Sequence, residues 1–565
     1  MQMMNNPRLF LWIFLSFALL LNYQAWQQDY GPQGVQAAAE EAARQAESAA
    51  QSASKLTESV PSAANGGPAS QTPAAASSST APRQLSDVIP RGGTVRVRTD
   101  VLDMDINLHG GTIERADLLL YPKVKGGSEP VRLMNTDPAT LYLVQTGLTG
   151  PGDAPRPTHL ATFTSEQTEY NLGDAEELRV PLTWTDGNGV TVTKTFIFKR
   201  GWYRIDVEQT VTNQSNAPWQ AAAYGQLLRN DPPVERSMFR VESYAFRGPA
   251  IDDGSKYRKL DIEEEEDRRL AQEVRGGWIA ALQHHFVGAI VPPEDETNRF
   301  TLNAQDRTFS LATAGPIRTV EPGGTTTFTA RLFVGPKLQA QLEETGTRLE
   351  LVADYGMLTI LAKPLFLLLE LVHNVVGNWG WAIVIVTFLL KLLFYPLSEA
   401  SGRSMAKMKT LAPRIKNLQE TYKDDREKLG RAMMELYQRE KINPVAGCLP
   451  IIIQIPVFLA FYWVLLESVE MRQAPFVGWI NDLSSRDPYF ILPLIMAVAM
   501  FIQYKLNPTP PDPVQAKVFM IMPIVMSAMF AVFPSGLVLY WVTNTILSIA
   551  QQWNINRRIE KAKKT

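Results

Sequence analysis

The chain opens with a long apolar run before its pattern changes. The run Leu9–Leu21, extended through Tyr23 to Trp26, is about 18 residues long, enough for a helix to cross a bilayer. A cleaved secretory signal is the alternative, but it needs small residues in an A-x-A pattern after the run, and Tyr23 stands two positions before Ala25. The pattern favours an uncleaved membrane anchor over residues 1–26.

Residues 27–84 are polar and mostly small. Ala, Ser, Gln, Gly and Pro dominate, and large apolar side chains are nearly absent. Such a stretch buries too little surface to offset the chain entropy lost on folding. We expect a flexible tether in which an Ala-rich helix forms only transiently.

Residues 85–356 alternate hydrophobic and polar positions with a period of two. Leu102, Met104 and Ile106 alternate with acidic or amide residues, and Gly110 and Gly111 then mark a turn. Many short strands separated by Gly, Asn and Asp turns predict an all-β sandwich. The end of this region, from Lys337 to Asp354, has helical spacing and is expected to close the domain.

From residue 357 the chain reads as a polytopic α-helical membrane protein. Five apolar segments predict spans: Trp379–Leu397, Cys448–Leu466, Tyr489–Tyr504, Val518–Phe533 and Leu537–Ala550.

A sixth apolar segment, 357–377, carries a polar stripe. Lys363, Glu370 and Asn374 fall within about 40° of one another on a helical wheel. This stripe predicts a helix lying in the membrane interface rather than crossing it.

Loop charges give the topology. Between Glu399 and Val445 there are eleven Lys or Arg residues against seven acids, and the tail 557–565 is also basic. The positive-inside rule puts both regions in the cytoplasm. The weakly charged segment 467–488 and the turn at 534–536 then face outward. Six spans, both termini inside and an outer β domain satisfy every loop.

Averaged composition hides this segregation. The 565 residues carry 55 Lys or Arg and 57 Asp or Glu, but residues 357–565 alone have a net charge of +8 and the remainder −10. One cysteine excludes an intramolecular disulfide framework, and five histidines without an HExxH motif argue against zinc. We expect no metal site and no cofactor.

Lys391 carries the strongest chemical signal. It interrupts the apolar run IVIVTFLLKLLF, where an ionisable residue costs roughly 2.5–3.5 kcal/mol and usually faces water or a partner. Thr387 lies one turn earlier on the same face. Snorkelling of Lys391 to the cytoplasmic surface is the structural alternative.

Other predicted spans supply polar companions, but no carboxylate. These companions are Gln454, Tyr540, Trp541 and Asn544. Tyr540, Asn544 and Ser548 share a helix face, and such residues also serve as interhelical hydrogen-bond partners. Met, Phe and Ile enrich the same spans. This suits either contact with lipid or adaptable binding of apolar segments, with candidate positions at Ile453, Phe458, Phe461, Met522 and Met526.

The cytoplasmic segment 399–445 predicts an antiparallel helical hairpin. Apolar residues recur at heptad-like spacing on either side of a polar turn at Lys423–Asp425. Its basic residues either solvate the surface or contact anionic lipid or ribosomal RNA. The candidate contacts are Lys407, Lys409, Arg414 and Lys416.

Several long stretches are specific enough to compare with known families. They are GNWGWAIVIVTFLLKLLFYPLSEA (377–400), SMAKMKTLAPRIKNLQETY (404–422), INPVAGCLPIIIQIPVFLAFYW (442–463), VEMRQAPFVGWINDLSSRDPYFILP (469–493), FPSGLVLYWVTN (533–544) and GGWIAALQHHF (276–286). With the anchor, tether and β domain, they resemble the YidC family of bacterial membrane protein insertases, in its Gram-negative form with a large periplasmic domain.

The resemblance implies a five-helix insertase core over 378–556, a basic tail over 557–565 and a β-supersandwich in the periplasm. It also implies a hydrophilic groove, open to cytoplasm and lipid, whose positive charge attracts the acidic part of a substrate. By position Lys391 carries that charge. Gram-negative members generally have arginine there, and lysine lacks arginine's bidentate fork.

The implied activity is insertion and folding of nascent membrane proteins in the inner membrane, without covalent catalysis. Implied partners are those nascent proteins, the lipid bilayer, the Sec translocon with its accessory subunits, and the ribosome as a further candidate; DNA is not expected. A secondary transporter or channel for small solutes is the leading alternative, although no inverted repeat is visible. A scaffold presenting the β domain is another alternative, but it leaves Lys391 unexplained.

Overall fold

The computed structural model describes residues 32–64, 93–232, 245–422, 425–440, 449–506 and 513–564. The described residues form two compact units. We call them the β unit, which takes in most of the chain up to residue 335, and the helical unit, which takes in 283–287 and everything from 336 onward. The predicted anchor 1–26 lies outside the described residues, as do 27–31 and 65–84 of the predicted tether.

The β unit is an all-β sandwich, as the alternating pattern predicted. Its strands are β1 Thr94–Arg98, β2 Leu102–Asn107, β3 Thr112–Pro122, β4 Pro130–Met134, β5 Tyr142–Thr149, β6 Glu169–Asn171, β7 Glu177–Thr185, β8 Val190–Lys199, β9 Arg204–Asn213, β10 Trp219–Asn230, β11 Gly248–Asp252, β12 Tyr257–Lys259, β13 Ala271–Arg275, β14 Trp278–Leu282, β15 Phe286–Val291, β16 Thr297–Gln305, β17 Thr308–Ala314, β18 Arg318–Val320 and β19 Thr325–Pro336.

These strands form two sheets. One has eleven strands in the order β13-β16-β17-β10-β5-β3-β2-β1-β6, with β18 paired to β10 and β4 to β3. The other has eight, in the order β12-β11-β14-β15-β19-β9-β8-β7. Nearly all the pairings are antiparallel, and β1 with β6 is the parallel exception among the pairings described.

Alternating side chains build the core of this sandwich. Along β9, Ile205, Val207, Gln209 and Val211 are buried while the residues that alternate with them are partly exposed. Because successive side chains point to opposite faces of a strand, this period of two puts one apolar face inside. Gly110 and Gly111, both at positive φ, form the predicted turn between β2 and β3.

A lysine lies inside this apolar core. Lys194 on β8 is fully buried, and its ammonium donates to the carbonyl oxygens of Gly110 at 2.8 Å and Thr146 at 2.6 Å. The Nζ also lies 4.6 Å from the centre of the Phe163 ring. Since burial disfavours the charged form, the pKa of Lys194 is lowered to about 7.

Residues of the predicted tether form a docked helix, α1, Pro32–Thr57. Ala49, Ala53 and Leu56 are buried, and the last two pack in a cluster with Leu141, Leu143 and Leu228. The expectation of a flexible tether was wrong for this part of 27–84. Small side chains give little hydrophobic signal in a sequence, but they let a helix approach a sheet closely.

Polar contacts hold the C-terminal end of α1 as well. Ser52 donates to Asp306 at 2.9 Å, and the carbonyl oxygen of Thr57 lies 2.7 Å from Nε2 of His159. A carbonyl only accepts, so Nε2 carries the proton, and Nδ1 accepts from the Tyr224 hydroxyl at 2.6 Å. Burial lowers the pKa of His159 to about 4, so the ring is neutral at pH 7.

The β unit also has a short helix, α2 Glu265–Arg268. The α-helices of the helical unit are α3 Gln339–Thr345, α4 Thr359–Val376, α5 Trp379–Leu393, α6 Tyr395–Thr421, α7 Arg426–Arg439, α8 Leu449–Glu467, α9 Ile491–Leu506, α10 Pro513–Phe530 and α11 Ser535–Lys564. α4 packs on α5 and α8, while α11 packs on α5 and α9. Their facing apolar side chains form one core.

Three predicted boundaries differ from the structure. The β unit ends at Gly335 rather than at 356, because the following segment packs in the helical unit, where Lys337 lies 3.8 Å from Glu467 at the end of α8. The span predicted to end at Leu397 breaks after Leu393 with a 60° bend, next to Pro396, whose ring disfavours a continuous helix. α11 continues from the last predicted span through the basic tail to Lys564.

By length and hydropathy, α4 is the one helix in the described ranges that could cross a membrane alone, and α5 with the start of α6 qualifies if the bend is ignored. α8, α9 and α10 contain shorter apolar stretches. α4 buries Ala362, Phe366 and Leu369 and exposes Ile360 and Leu371. Its interfacial position therefore stays a prediction.

We expect the free energy of unfolding of the β unit to rise by about 2 kcal/mol between pH 7 and pH 9. In that range the unfolded chain keeps the Lys194 proton and the folded chain releases it, so higher pH favours folding. Pulse proteolysis of the full chain in urea measures this. Lys194→Met should flatten the pH slope and Lys199→Met, on the same strand, should keep it; an unchanged slope in Lys194→Met contradicts the assignment.

We expect Ala53→Arg to release α1 from the sheet, because a guanidinium cannot occupy the space of a buried methyl group. Hydrogen exchange read by mass spectrometry should then speed up by about tenfold or more over residues 49–57. Ala43→Arg, at an exposed position of the same helix, is the control and should leave exchange unchanged. Equal exchange in both variants would mean that the docking is not stable.

Candidate functional site in the helical unit

An open cavity lies between α5, α8 and α11 and the first turn of α6, with about 440 Å³ of empty space when the part open to solvent is counted. The residues that line it come from three predicted spans and the bend that follows the first. They are Thr387, Leu390, Lys391, Phe394, Leu397, Ser398, Ile453, Gln454, Val457, Tyr540 and Asn544. The structure therefore brings together six residues that the sequence singled out separately: Lys391, Thr387, Gln454, Tyr540, Asn544 and Ile453.

Lys391 lies in the last turn of α5, and its ammonium donates to the hydroxyl of Ser548 on α11 at 2.8 Å. Within the ranges that the structure describes, no carboxylate forms a salt bridge with it. The carbonyl end of a helix favours a cation. The charge is therefore supported by a neutral hydroxyl and a helix dipole.

Two further polar side chains meet across the cavity. Nε2 of Gln454 on α8 donates to Oδ1 of Asn544 on α11 at 2.5 Å. This bond satisfies one donor and one acceptor that would otherwise lie among apolar side chains, where an unpaired amide is costly. Gln454 and Asn544 thus tie α8 to α11 one turn away from Ser548.

Thr387 and Tyr540 also line the cavity. Thr387 is buried, and its hydroxyl donates to the carbonyl oxygen of Ile383 in its own helix at 2.6 Å. Tyr540 is also buried, and its ring stacks on that of Phe461 with centroids 4.5 Å apart. Both residues shape the wall of the cavity, whereas Lys391 supplies its charge.

The predicted apolar binding residues do not all reach a surface. Ile453 lines the cavity and is 36% exposed, and Met522 is 39% exposed on α10. Met526 is half-buried against the core. Phe461 is fully buried, so its assignment to a substrate-contacting surface was wrong for this structure. The helical period alone did not show that its face turns toward Tyr540.

Two aromatic candidates belong to a packed cluster outside the cavity. Phe458 and Trp541 meet edge to face with centroids 4.6 Å apart, and Trp541 also contacts Phe530 at 5.1 Å. Neither lines the cavity. Their contacts hold α8, α10 and α11 together.

Residues 468–490 close the end of the bundle at which α5 and α11 begin. Asn378, before α5, donates to the carbonyl oxygen of Pro475 at 3.2 Å. The backbone N–H of Ser535, at the start of α11, donates to the carbonyl oxygen of Ser485 at 2.7 Å. The cavity at Lys391 lies toward the other end of α5.

α6 and α7 form the predicted hairpin. They pack through a small apolar cluster of Leu411, Ile415, Met433, Leu436 and Tyr437. Among the four basic candidates, Arg414 is exposed and pairs with Glu440 at 2.6 Å. The side chains of Lys407, Lys409 and Lys416 lie outside the described residues.

Sequence reasoning missed several wall residues and the partner of Lys391. Leu397 and Ser398 reach the cavity because the chain bends at residue 394, and a straight helix would carry them away. Ser548 shares a helix face with Tyr540 and Asn544, and this spacing was the signal in the sequence that Ser548 also lies near Lys391. No group of three or more metal-ligating side chains occurs in the part of the chain that is described.

We expect Asn544→Leu to destabilise the helical unit by about 1 kcal/mol, because it leaves the half-buried Gln454 amide without its acceptor. Gln454→Leu combined with Asn544→Leu should recover most of that loss, since neither amide then remains. A double-mutant cycle of thermal unfolding in detergent measures this coupling. Strictly additive losses would show that the two amides act independently.

Comparisons with known proteins cover nearly the whole chain. A family described as 60Kd inner membrane protein matches residues 371–563, and the YidC periplasmic domain matches 94–368. A protein of Thioalkalivibrio sulfidiphilus named Membrane protein insertase YidC is 47% identical over 99% of this chain and 100% of its own. A protein of Methylococcus capsulatus with the same name is 50% identical over 83% and 86%.

A solved structure of an active YidC insertase with its first transmembrane domain resolved is also similar. It is 18% identical, covers 81% of this chain and 92% of its own, and has a TM-score of 0.36.

Proposed function

The chain belongs to the YidC family of membrane protein insertases, and we propose that it moves transmembrane segments of newly made proteins into the bacterial inner membrane through the cavity at Lys391. The observation that carries this proposal is one ammonium group, without a carboxylate partner in the described ranges, in a cavity between apolar helices. It needs neither a cofactor nor covalent chemistry.

The charge explains how a substrate is drawn in. A carboxylate entering the cavity gains an ion pair with Lys391, and it displaces no existing salt bridge in the described part of the chain. At a separation of 4 Å such a pair is worth about 4 kcal/mol at an effective dielectric constant of 20, before desolvation is counted. The acidic or polar end of a substrate is thus held partway across the bilayer.

The surroundings explain how an apolar segment leaves. Exposed apolar side chains continue from the cavity along α8 and α10, among them Ile453, Ile455 and Met522. A substrate helix can pack on these faces as its polar end is held, and then pass into lipid. Flexible Met side chains suit helices of many sequences.

The closed end of the bundle determines the end from which a substrate enters. With the 468–490 segment closing one end of the bundle, a substrate enters from the other end and never crosses an open pore. We assign that sealed end to the periplasm and the hairpin α6–α7 to the cytoplasm, on the charge of the loops. The family is an inner membrane family with a periplasmic domain, and a six-span arrangement with an interfacial α4 completes the proposed topology.

Partners follow from the same arrangement. Nascent membrane proteins and the surrounding lipid contact the cavity and the apolar faces. The basic hairpin suits anionic lipid or the ribosome, and the Sec translocon is proposed to hand over substrates laterally. Holding a helix on an apolar face before release also serves its folding, which is the chaperone activity that we propose.

We expect Lys391→Arg to keep insertion within about twofold, because arginine keeps the positive charge. Lys391→Glu reverses the charge and should lower insertion by about tenfold or more, which corresponds to about 1.4 kcal/mol. The measurement is insertion of a two-span substrate with an acidic translocated loop into liposomes holding the purified protein. Release of entrapped small solutes is scored in parallel.

Lys505→Glu is the matched control, since Lys505 is exposed on α9 and does not line the cavity. It should insert like the natural chain. Equal insertion by the Lys391→Arg and Lys391→Glu variants contradicts the role of the charge, and solute flux without insertion would favour a transporter.

A further inference from the structure

Ser548 holds the side chain of Lys391 in a defined position. Its hydroxyl oxygen accepts from the ammonium at 2.8 Å and its hydroxyl proton goes to the carbonyl oxygen of Asn544 at 2.7 Å. A hydroxyl has one proton to give. With that proton committed to its own helix, the lone pairs of Ser548 stay turned toward Lys391.

The residue type suits a lysine in particular. An ammonium is a point charge on a flexible stem, whereas a guanidinium is a rigid fork. Without an anchor, the Lys391 stem can carry its charge along the helix toward the aqueous end, which is the snorkelling expected of lysine near a membrane surface. Ser548 lies on a different helix, 157 residues along the chain, and fixes the charge against α11.

The anchor is also neutral. A carboxylate at this position would hold the ammonium more tightly but would cancel its charge, and an arriving substrate would have to displace it. A hydroxyl oxygen accepts a hydrogen bond from one of the three ammonium N–H groups and leaves the net charge intact. The cavity keeps both a fixed geometry and an attraction for anions.

We propose that Ser548 is a positioning residue that sets the preference of the cavity for substrates with acidic translocated segments. This inference rests on the proposed function, since it needs Lys391 to act on substrates. Ser548 itself need not touch the substrate. It keeps the Lys391 ammonium at the cavity wall, where a substrate carboxylate can reach it.

The experiment compares two substrates that differ only in the charge of the translocated loop, acidic or neutral, inserted into liposomes by the full chain. Ser548→Ala should lower insertion of the acidic substrate by about fivefold, the fold-change expected for losing one ordinary hydrogen bond, and that of the neutral one by less than about twofold. Ser548→Thr keeps the hydroxyl and should restore the preference. Ser548→Asp keeps the anchor but cancels the charge, and should abolish the preference.

Two controls separate positioning from a structural role. Thr543→Ala removes a hydroxyl from the same helix outside the cavity and should change neither substrate. In a Lys391→Met background, Ser548→Ala should have no further effect, because Ser548 acts through Lys391. Equal losses for both substrates, or an undiminished loss in the Lys391→Met background, overturn the inference.

The two proposals fail differently. If Lys391→Met leaves insertion of the acidic substrate unchanged, the proposed role of the charge falls and the inference falls with it. If Lys391→Met lowers insertion of the acidic substrate but Ser548→Ala does not, only the positioning role of Ser548 is lost.

Discussion

The helical unit is organised around the cost of keeping one ammonium group among apolar helices. Lys391 lies in a predicted span, where a charge without support would be expelled or neutralised. The chain supports it with the Ser548 hydroxyl, the carbonyl end of α5 and an open cavity. None of these three features cancels the positive charge or blocks its access to the cavity. Replacing Lys391 by an apolar residue and filling the cavity would remove the cost of the buried charge, but it would also remove the site that binds an acidic substrate.

The β unit shows the opposite treatment of the same side chain. Lys194 is fully enclosed, and its ammonium donates hydrogen bonds to two carbonyl oxygens. Its burial affects the stability of the β unit and makes that stability depend on pH. Burial alone therefore does not mark a lysine as functional. The difference lies in the space left around Lys391 and in its having a single hydroxyl anchor.

Local patterns predicted much of this structure, and contacts between distant segments account for what they missed. Alternation predicted the sandwich because strands with one buried face have a period of two. The apolar run around Lys391 and the polar face of α11 predicted most of the charged cavity. The docking of α1 was missed because Ala53 contributes by its small size. Phe461 was misplaced because helical spacing does not show which face meets a neighbouring helix.

Water access to the position of Lys391 is the most direct test of this arrangement. Cys448, the single native cysteine, is first replaced by serine, and a thiol is then introduced by Lys391→Cys in proteoliposomes. A membrane-impermeant maleimide should label it nearly as fast as a thiol introduced by Arg414→Cys on the exposed hairpin. A thiol introduced by Leu389→Cys, on the outward face of α5, should react slowly. Labelling of the Lys391→Cys variant as slow as that of Leu389→Cys would contradict a water-accessible cavity.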